Sequence, residues 1–224
     1  MKKSILLTSL FVLLFSACIK DDFIMDTVDS VLRITSTVDT IALESSFQFE
    51  FMYLNNVGQS EAVNAEWQSS NPDIISINNS GLAQGLQIGT STISVEYSDG
   101  NNLLKDSMEV NVGENTTIST STKMGSIATT STYKLTGDFT ISEDGDDLLI
   151  TFDSNYEAST ALPGLYVYLT NNPNTTANAF EIGAVQIFSG MHEYRISGVN
   201  INDYSHLLYF CKPFTVKVGD GEIL

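Results

Sequence analysis

Phe47-Gln48-Phe49-Glu50-Phe51-Met52-Tyr53 decides the fold. An aromatic ring stands at every second position, with Gln48 and Glu50 between the rings. A period of two places alternate side chains on opposite faces of a strand, one packed and one wet. A helix would scatter the same rings around its circumference. The alternation returns at Ile93, Val95 and Tyr97, at Tyr133, Leu135, Phe139 and Ile141, and at Phe214, Val216 and Val218. Asn55-Asn56, Asp99-Gly100, Asp144-Gly145 and Asn171-Asn172 punctuate these runs as turn residues do. No segment sustains helical periodicity, so an all-β chain is expected.

Composition bounds the rest. The chain has 224 residues, 42% of them apolar, enough for one or two domains with real cores. Acids outnumber bases 27 to 10, a formal charge of −17, which argues against nucleic acid because phosphate binding needs Lys and Arg. Two cysteines rule out a disulfide-stapled scaffold and a Cys-rich zinc site.

Lys2 and Lys3 precede an apolar stretch, Ile5 to Phe15, that is too short for a bilayer span of about 20 residues and suits a secretory signal. It runs into Phe15-Ser16-Ala17-Cys18, which resembles the lipobox of bacterial lipoproteins, with Phe15 where that motif usually has Leu. The resemblance implies removal of residues 1–17 and acylation of Cys18. Loss of Lys2 and Lys3 then takes the charge from −17 to −19. Ile19-Lys20-Asp21-Asp22 resembles the signal that sends lipoproteins across the outer membrane of some Gram-negative bacteria; Lys20, Asp21 and Asp22 carry it. A solvated acidic linker is the other reading of those four residues. Several acyl chains hold a protein stably without a transmembrane helix. The expectation is a lipid-anchored protein of the outer membrane, facing outward, with residues 18–30 as an acidic tether.

Two β domains follow. Residues 31–113 resemble a bacterial immunoglobulin-like domain of group two, on Ala65-Glu66-Trp67-Gln68-Ser69-Ser70-Asn71-Pro72-Asp73, Gly81-Leu82-Ala83-Gln84-Gly85-Leu86 and Gly89-Thr90-Ser91-Thr92-Ile93. The resemblance implies a β-sandwich serving as a spacer or adhesion module. Ile75, Ile77 and Leu82 are expected in its core. Trp67, a sugar-stacking platform in principle, reads as core at mid-strand. Residues 114–131 are Ser or Thr at ten of eighteen positions and read as a linker, with a strand at its end an option. Residues 132–224 resemble the DM-thirteen family, a small β-sandwich or barrel, on Gly137-Asp138-Phe139-Thr140-Ile141, Leu165-Tyr166-Val167-Tyr168-Leu169 and Phe210-Cys211-Lys212-Pro213-Phe214. Phe210 stands where that family often has Trp. The resemblance implies electron transfer centred on Cys211.

Read from the residues alone, Cys211 is open between a buried small hydrophobe and a redox thiol. Lys212 could activate it only from the same strand face, and adjacent residues point apart. His192 and His206 lie at spacings from Cys211 that match no compact metal signature, so no metal and no cofactor are expected. Glu143-Asp144-Gly145-Asp146-Asp147 reads as a hairpin tip or as a calcium loop without the usual ligand spacing. There is no nucleophile elbow, zinc-protease motif or phosphate loop, so no catalytic residue is assigned. Tyr166 and Tyr168 alternate with inward Leu165, Val167 and Leu169, and are where a binding patch for a surface protein or glycan would be sought. Thr27, Ser30, Thr40 and Ser107 each follow Asp and precede an apolar residue, which looks like a bacterial O-glycosylation motif. The leading expectation is a non-enzymatic surface lipoprotein for binding, adhesion or assembly; the alternative is a redox accessory using Cys211.

Overall fold

The computed structural model describes residues 26–100, 102–119 and 122–224. Cys18, Lys20, Asp21 and Asp22 lie outside these residues. The protein is all-β, as the alternation predicts, and its strands close round two separate cores.

The first body begins with β1 (Val31–Ile34), β2 (Val38–Ala42), β3 (Ser46–Gln48), β4 (Phe51–Leu54) and β5 (Ser60–Glu61). It continues with β6 (Glu66–Ser69), β7 (Ile75–Ile77), β8 (Leu82–Gly85), β9 (Gly89–Ser98), β10 (Leu103–Gly113) and β11 (Thr117–Ile118). One sheet has the order β11-β2-β10-β9-β6, with β2 parallel to β10 and the other pairs antiparallel. Two three-stranded sheets, β1-β4-β5 and β3-β8-β7, complete it. The core takes Val38, Ile41, Phe49, Trp67, Ile75, Ile93, Val95 and Val110, each almost wholly enclosed. Enclosing such side chains stabilises by about 1.5–3 kcal/mol apiece.

The aromatic run Phe47–Tyr53 is not one strand. It breaks at Phe49-Glu50, so that β3 pairs with β8 while β4 pairs with β1. The break is held by the Ser36 hydroxyl, which accepts from Glu50 N at 2.8 Å, and by Thr35 N donating to Glu50 O at 3.0 Å. The rings stay together across it: Phe49 and Phe51 both lie against Trp67, at 5.8 and 5.9 Å between centroids. Gly81, at φ +81°, closes the wall behind them, where a Cβ would lie 2.9 Å from Trp67 Nε1. Leu82 departs from expectation: it is 44% exposed, because in β8 it is Ala83 and Gly85 that turn inward.

The stretch expected as a linker, 114–131, is mostly strand. Thr117 and Ile118 pair with β2, and β12 (Thr122–Thr129) lies inside the second sheet, between β13 and β20. Threonine, being β-branched, is a good strand former, and here Ile127 alone of β12 is fully buried.

The second body is β12 followed by β13 (Leu135–Asp144), β14 (Asp147–Phe152), β15 (Glu157–Ala158), β16 (Leu165–Thr170) and β17 (Phe180–Ala184). Then come β18 (His192–Ser197), β19 (His206–Cys211), a 3₁₀ turn at Lys212–Phe214 and β20 (Val216–Glu222). One nine-stranded sheet runs β17-β16-β19-β20-β12-β13-β14-β18, with β15 added on β13, and curls nearly into a barrel around a single core. Phe214, expected as an inward strand residue, sits in the 3₁₀ turn at 63% exposure, because Pro213 cannot donate to a ladder and starts the turn instead.

The two bodies are bonded to each other. Arg33 Nη1 donates to Asn202 O at 2.9 Å, and Asn202 Nδ2 donates to Thr35 O at 3.2 Å. Asn172, 1% exposed, donates through Nδ2 to both Asp26 O and Val57 O. Asp26 and Val28 are therefore part of the folded joint, Val28 N donating to Asn56 O at 2.9 Å.

Candidate binding cleft at the joint

A cleft of about 1070 Å³ opens where the two bodies meet. The broken aromatic run builds its wall: Phe47 and Phe51 are half-buried there, and the edge of Trp67 lies behind them. Gln48 is pinned at the rim, its Nε2 donating to Ser80 O at 2.7 Å and to Phe49 O at 2.9 Å. The second body supplies Glu143, from the end of β13, with Asn200 and Asp203 from the loop between β18 and β19. That loop is stiffened by the Asp203 carboxylate, which accepts from Asn200 N at 2.8 Å.

Beside the cleft, Arg33 and Lys123 share a partly enclosed space with Asp106 and Asp203. Burial lowers the pKa of both cations from its ordinary value; Asp106 and Asp203 oppose this for Arg33, while for Lys123 the nearby Arg33 lowers it further and Asp106 opposes. Asp106 also accepts from Ile34 N at 2.7 Å, so one carboxylate steadies both β1 and the guanidinium. Thr35 and Asp203 take part in both the joint and the cleft.

The residues that the sequence singles out are not gathered here. Cys211 is 0% exposed, inside the second core on β19. Lys212 points the other way, bonded to Glu181 at 2.6 Å with its ammonium 4.4 Å from the centre of the Tyr166 ring. Tyr166 is half-buried under that ammonium. Tyr168 is 4% exposed and does not offer a surface ring: it pairs in register with Leu208 on the face away from the core, and both are enclosed. Burial raises the Tyr168 pKa, and Glu181 adds to the shift.

Thr27 and Ser107 are exposed, and Ser30 is half-buried. Thr40 is half-buried in β2 with its hydroxyl donating to Asp39 at 2.9 Å. Residues 143–147 form a hairpin tip, Asp144 opposite Asp147, and Arg195 pairs with both carboxylates. Among the described residues no group of three or more His, Cys, Asp or Glu could hold a metal ion, and no helix is long and apolar enough to cross a membrane.

The second core does hold a polar cluster that sequence spacing does not reveal. Tyr156, Tyr194 and Tyr209 each bury a hydroxyl, and His192 buries Nε2, with none in good hydrogen-bond geometry; the Tyr156 and Tyr209 hydroxyls interact with each other, and Tyr194 with the Gln186 backbone. His192 stacks on Phe152 at 4.7 Å and meets Tyr156 at 4.4 Å, while its Nδ1 lies 2.9 Å from Gly190 O. Burial pushes the Tyr156 phenol up to about 12 and Tyr209 well above its ordinary value. Both phenols stay neutral at physiological pH.

The cleft escapes sequence reading because its walls come from residues about 150 positions apart, Glu50 and Asn200 among them. The one local signal was Glu50 and Gln48 alternating with rings. Comparison with models of protein families finds no match, and no curated protein matches the chain.

Proposed function

We propose that this chain is a surface-exposed, outer-membrane lipoprotein that binds or assembles and performs no chemistry of its own. The observation that carries the binding reading is the cleft at the joint, about 1070 Å³, walled from both bodies and rimmed with polar groups. Sites that take ligands are concave, partly apolar and set with a few placed polar side chains, and they favour domain junctions. The location rests on the lipobox resemblance ending at Cys18 and the Lys20-Asp21-Asp22 signal after it. The immunoglobulin-like resemblance of 31–113 and the DM-thirteen resemblance of 132–224 belong to the same proposal. Lipid labelling of cells tests it: palmitate enters the native chain and not Cys18→Ala, and protease added to intact cells removes the body. An unlabelled native chain, or one protected from protease, would falsify the location.

The redox alternative asks for a reactive thiol. Cys211 is enclosed, and Lys212, its one adjacent cation, is committed to Glu181 on the far side of the strand. Cys211 is expected to resist iodoacetamide in the folded protein and to react within minutes in denaturant. Rapid alkylation without denaturant would restore the redox reading.

A further inference from the structure

We infer that the cleft at the joint takes a cationic polypeptide segment, one rich in lysine or arginine. This rests on the reading that the cleft is the binding site and adds the chemistry of its occupant. Every charged side chain that lines it is acidic: Glu50 and Glu66 from the first body, Glu143 and Asp203 from the second. Asp203 is engaged with Asn200 and lies near Arg33. Glu50, Glu66 and Glu143 enter none of the ion pairs among the described residues.

Ion pairs neutralise only a minority of the acids among the described residues. Lys105 meets Glu96, Arg195 meets Asp144 and Asp147, and Lys212 meets Glu181. What sets Glu50, Glu66 and Glu143 apart is that they converge on one concave surface whose lining holds no Lys or Arg. Such a surface focuses negative potential into it, which draws in positive charge. The rings of Phe47 and Phe51 line the same wall, and a lysine or arginine head is attracted to an aromatic face as well as to a carboxylate. Met52 and Val63 offer apolar surface for the long aliphatic stems of such side chains. The volume suits a stretch of chain rather than a single ion. A sugar would want an open aromatic plate, and the only tryptophan, Trp67, is 6% exposed.

That lone indole at the cleft is also the probe. The full-length chain is titrated with pentalysine, with pentaglutamate and with maltopentaose, following Trp67 fluorescence. Pentalysine is expected to give a saturable change that weakens about tenfold in Glu50→Gln/Glu66→Gln/Glu143→Gln and again as salt rises from about 0.05 to about 0.5 M. Glu143→Gln alone, on the second body, weakens it about threefold. Asp73→Asn/Glu109→Gln/Glu114→Gln removes as much charge from exposed acids outside the cleft and leaves the affinity as it was. Equal weakening by both triple variants would mean general attraction to an acidic surface and would overturn the inference. Saturable binding of maltopentaose or pentaglutamate without pentalysine would also overturn it, while the binding function stood. If none of the three probes binds, both fail together.

Discussion

Depth, not sequence context, sets the character of single residues in this protein. Cys211, Tyr168 and Leu82 occupy alternating strand positions that read alike in a sequence, yet two are enclosed and one is open. Alternation tells which residues share a face and does not tell what lies over that face. Cys211 could therefore be read either way until its surroundings were known, whereas Trp67, Ile93 and Val95 were legible as core because their neighbours leave no other apolar face. The tyrosine cluster was illegible for a related reason: Tyr156, Tyr194 and Tyr209 come from three separate segments. Its consequence is measurable in alkali. An unfolded phenol ionises near pH 10, whereas Tyr156 in the folded protein waits until about 12. Between those values the unfolded state has lost a proton that the folded state keeps, so stability is full below about pH 10 and declines as pH rises. Melting followed from pH 8 to 12 should show a loss reaching roughly 2–3 kcal/mol from this group. Tyr156→Phe should make that decline shallower, with Tyr209 and Tyr194 supplying the remainder, and an unchanged slope would remove Tyr156 as a source.

At the scale of elements, strand content was readable and strand boundaries were not. A long alternating run such as Phe47–Tyr53 predicts extended chain, but the turn of its backbone at Phe49-Glu50 depends on Ser36 and Thr35, which lie on another segment. The Ser/Thr-rich stretch misleads in the opposite sense. Its composition resembles a linker, yet β12 is an interior strand because both its neighbours approach it closely. Gly125 marks the tightest point: a Cβ there would lie 2.6 Å from Phe139 Cζ and would also strike the Glu222 carbonyl. Gly125→Ala should cost about 2–3 kcal/mol, read as a lower urea midpoint. A variant with the parent's midpoint would show that β12 can shift and is no fixed part of the sheet.

For the whole molecule the joint matters most. Two resembled families suggested two modules on a string, and nothing local in the sequence announces that Asn172 reaches Asp26 and Val57. Asn172→Ala would leave those two carbonyls without their donor, at a cost of about 2 kcal/mol. Calorimetry of the native chain should show one transition, and Asn172→Ala combined with Arg33→Ala should resolve two, one per core. A single unshifted transition in the double variant would mean that the bodies are joined by something else. The same asparagine also fixes where the leash of the proposed lipoprotein leaves the body. Asp26 is fastened at the seam and not to the first body alone. Eight peptide steps separate Cys18 from Asp26, and fully drawn out they reach at most about 30 Å. With the leash held by fat at one end and by the seam at the other, the joint would stay within that reach of the lipid headgroups.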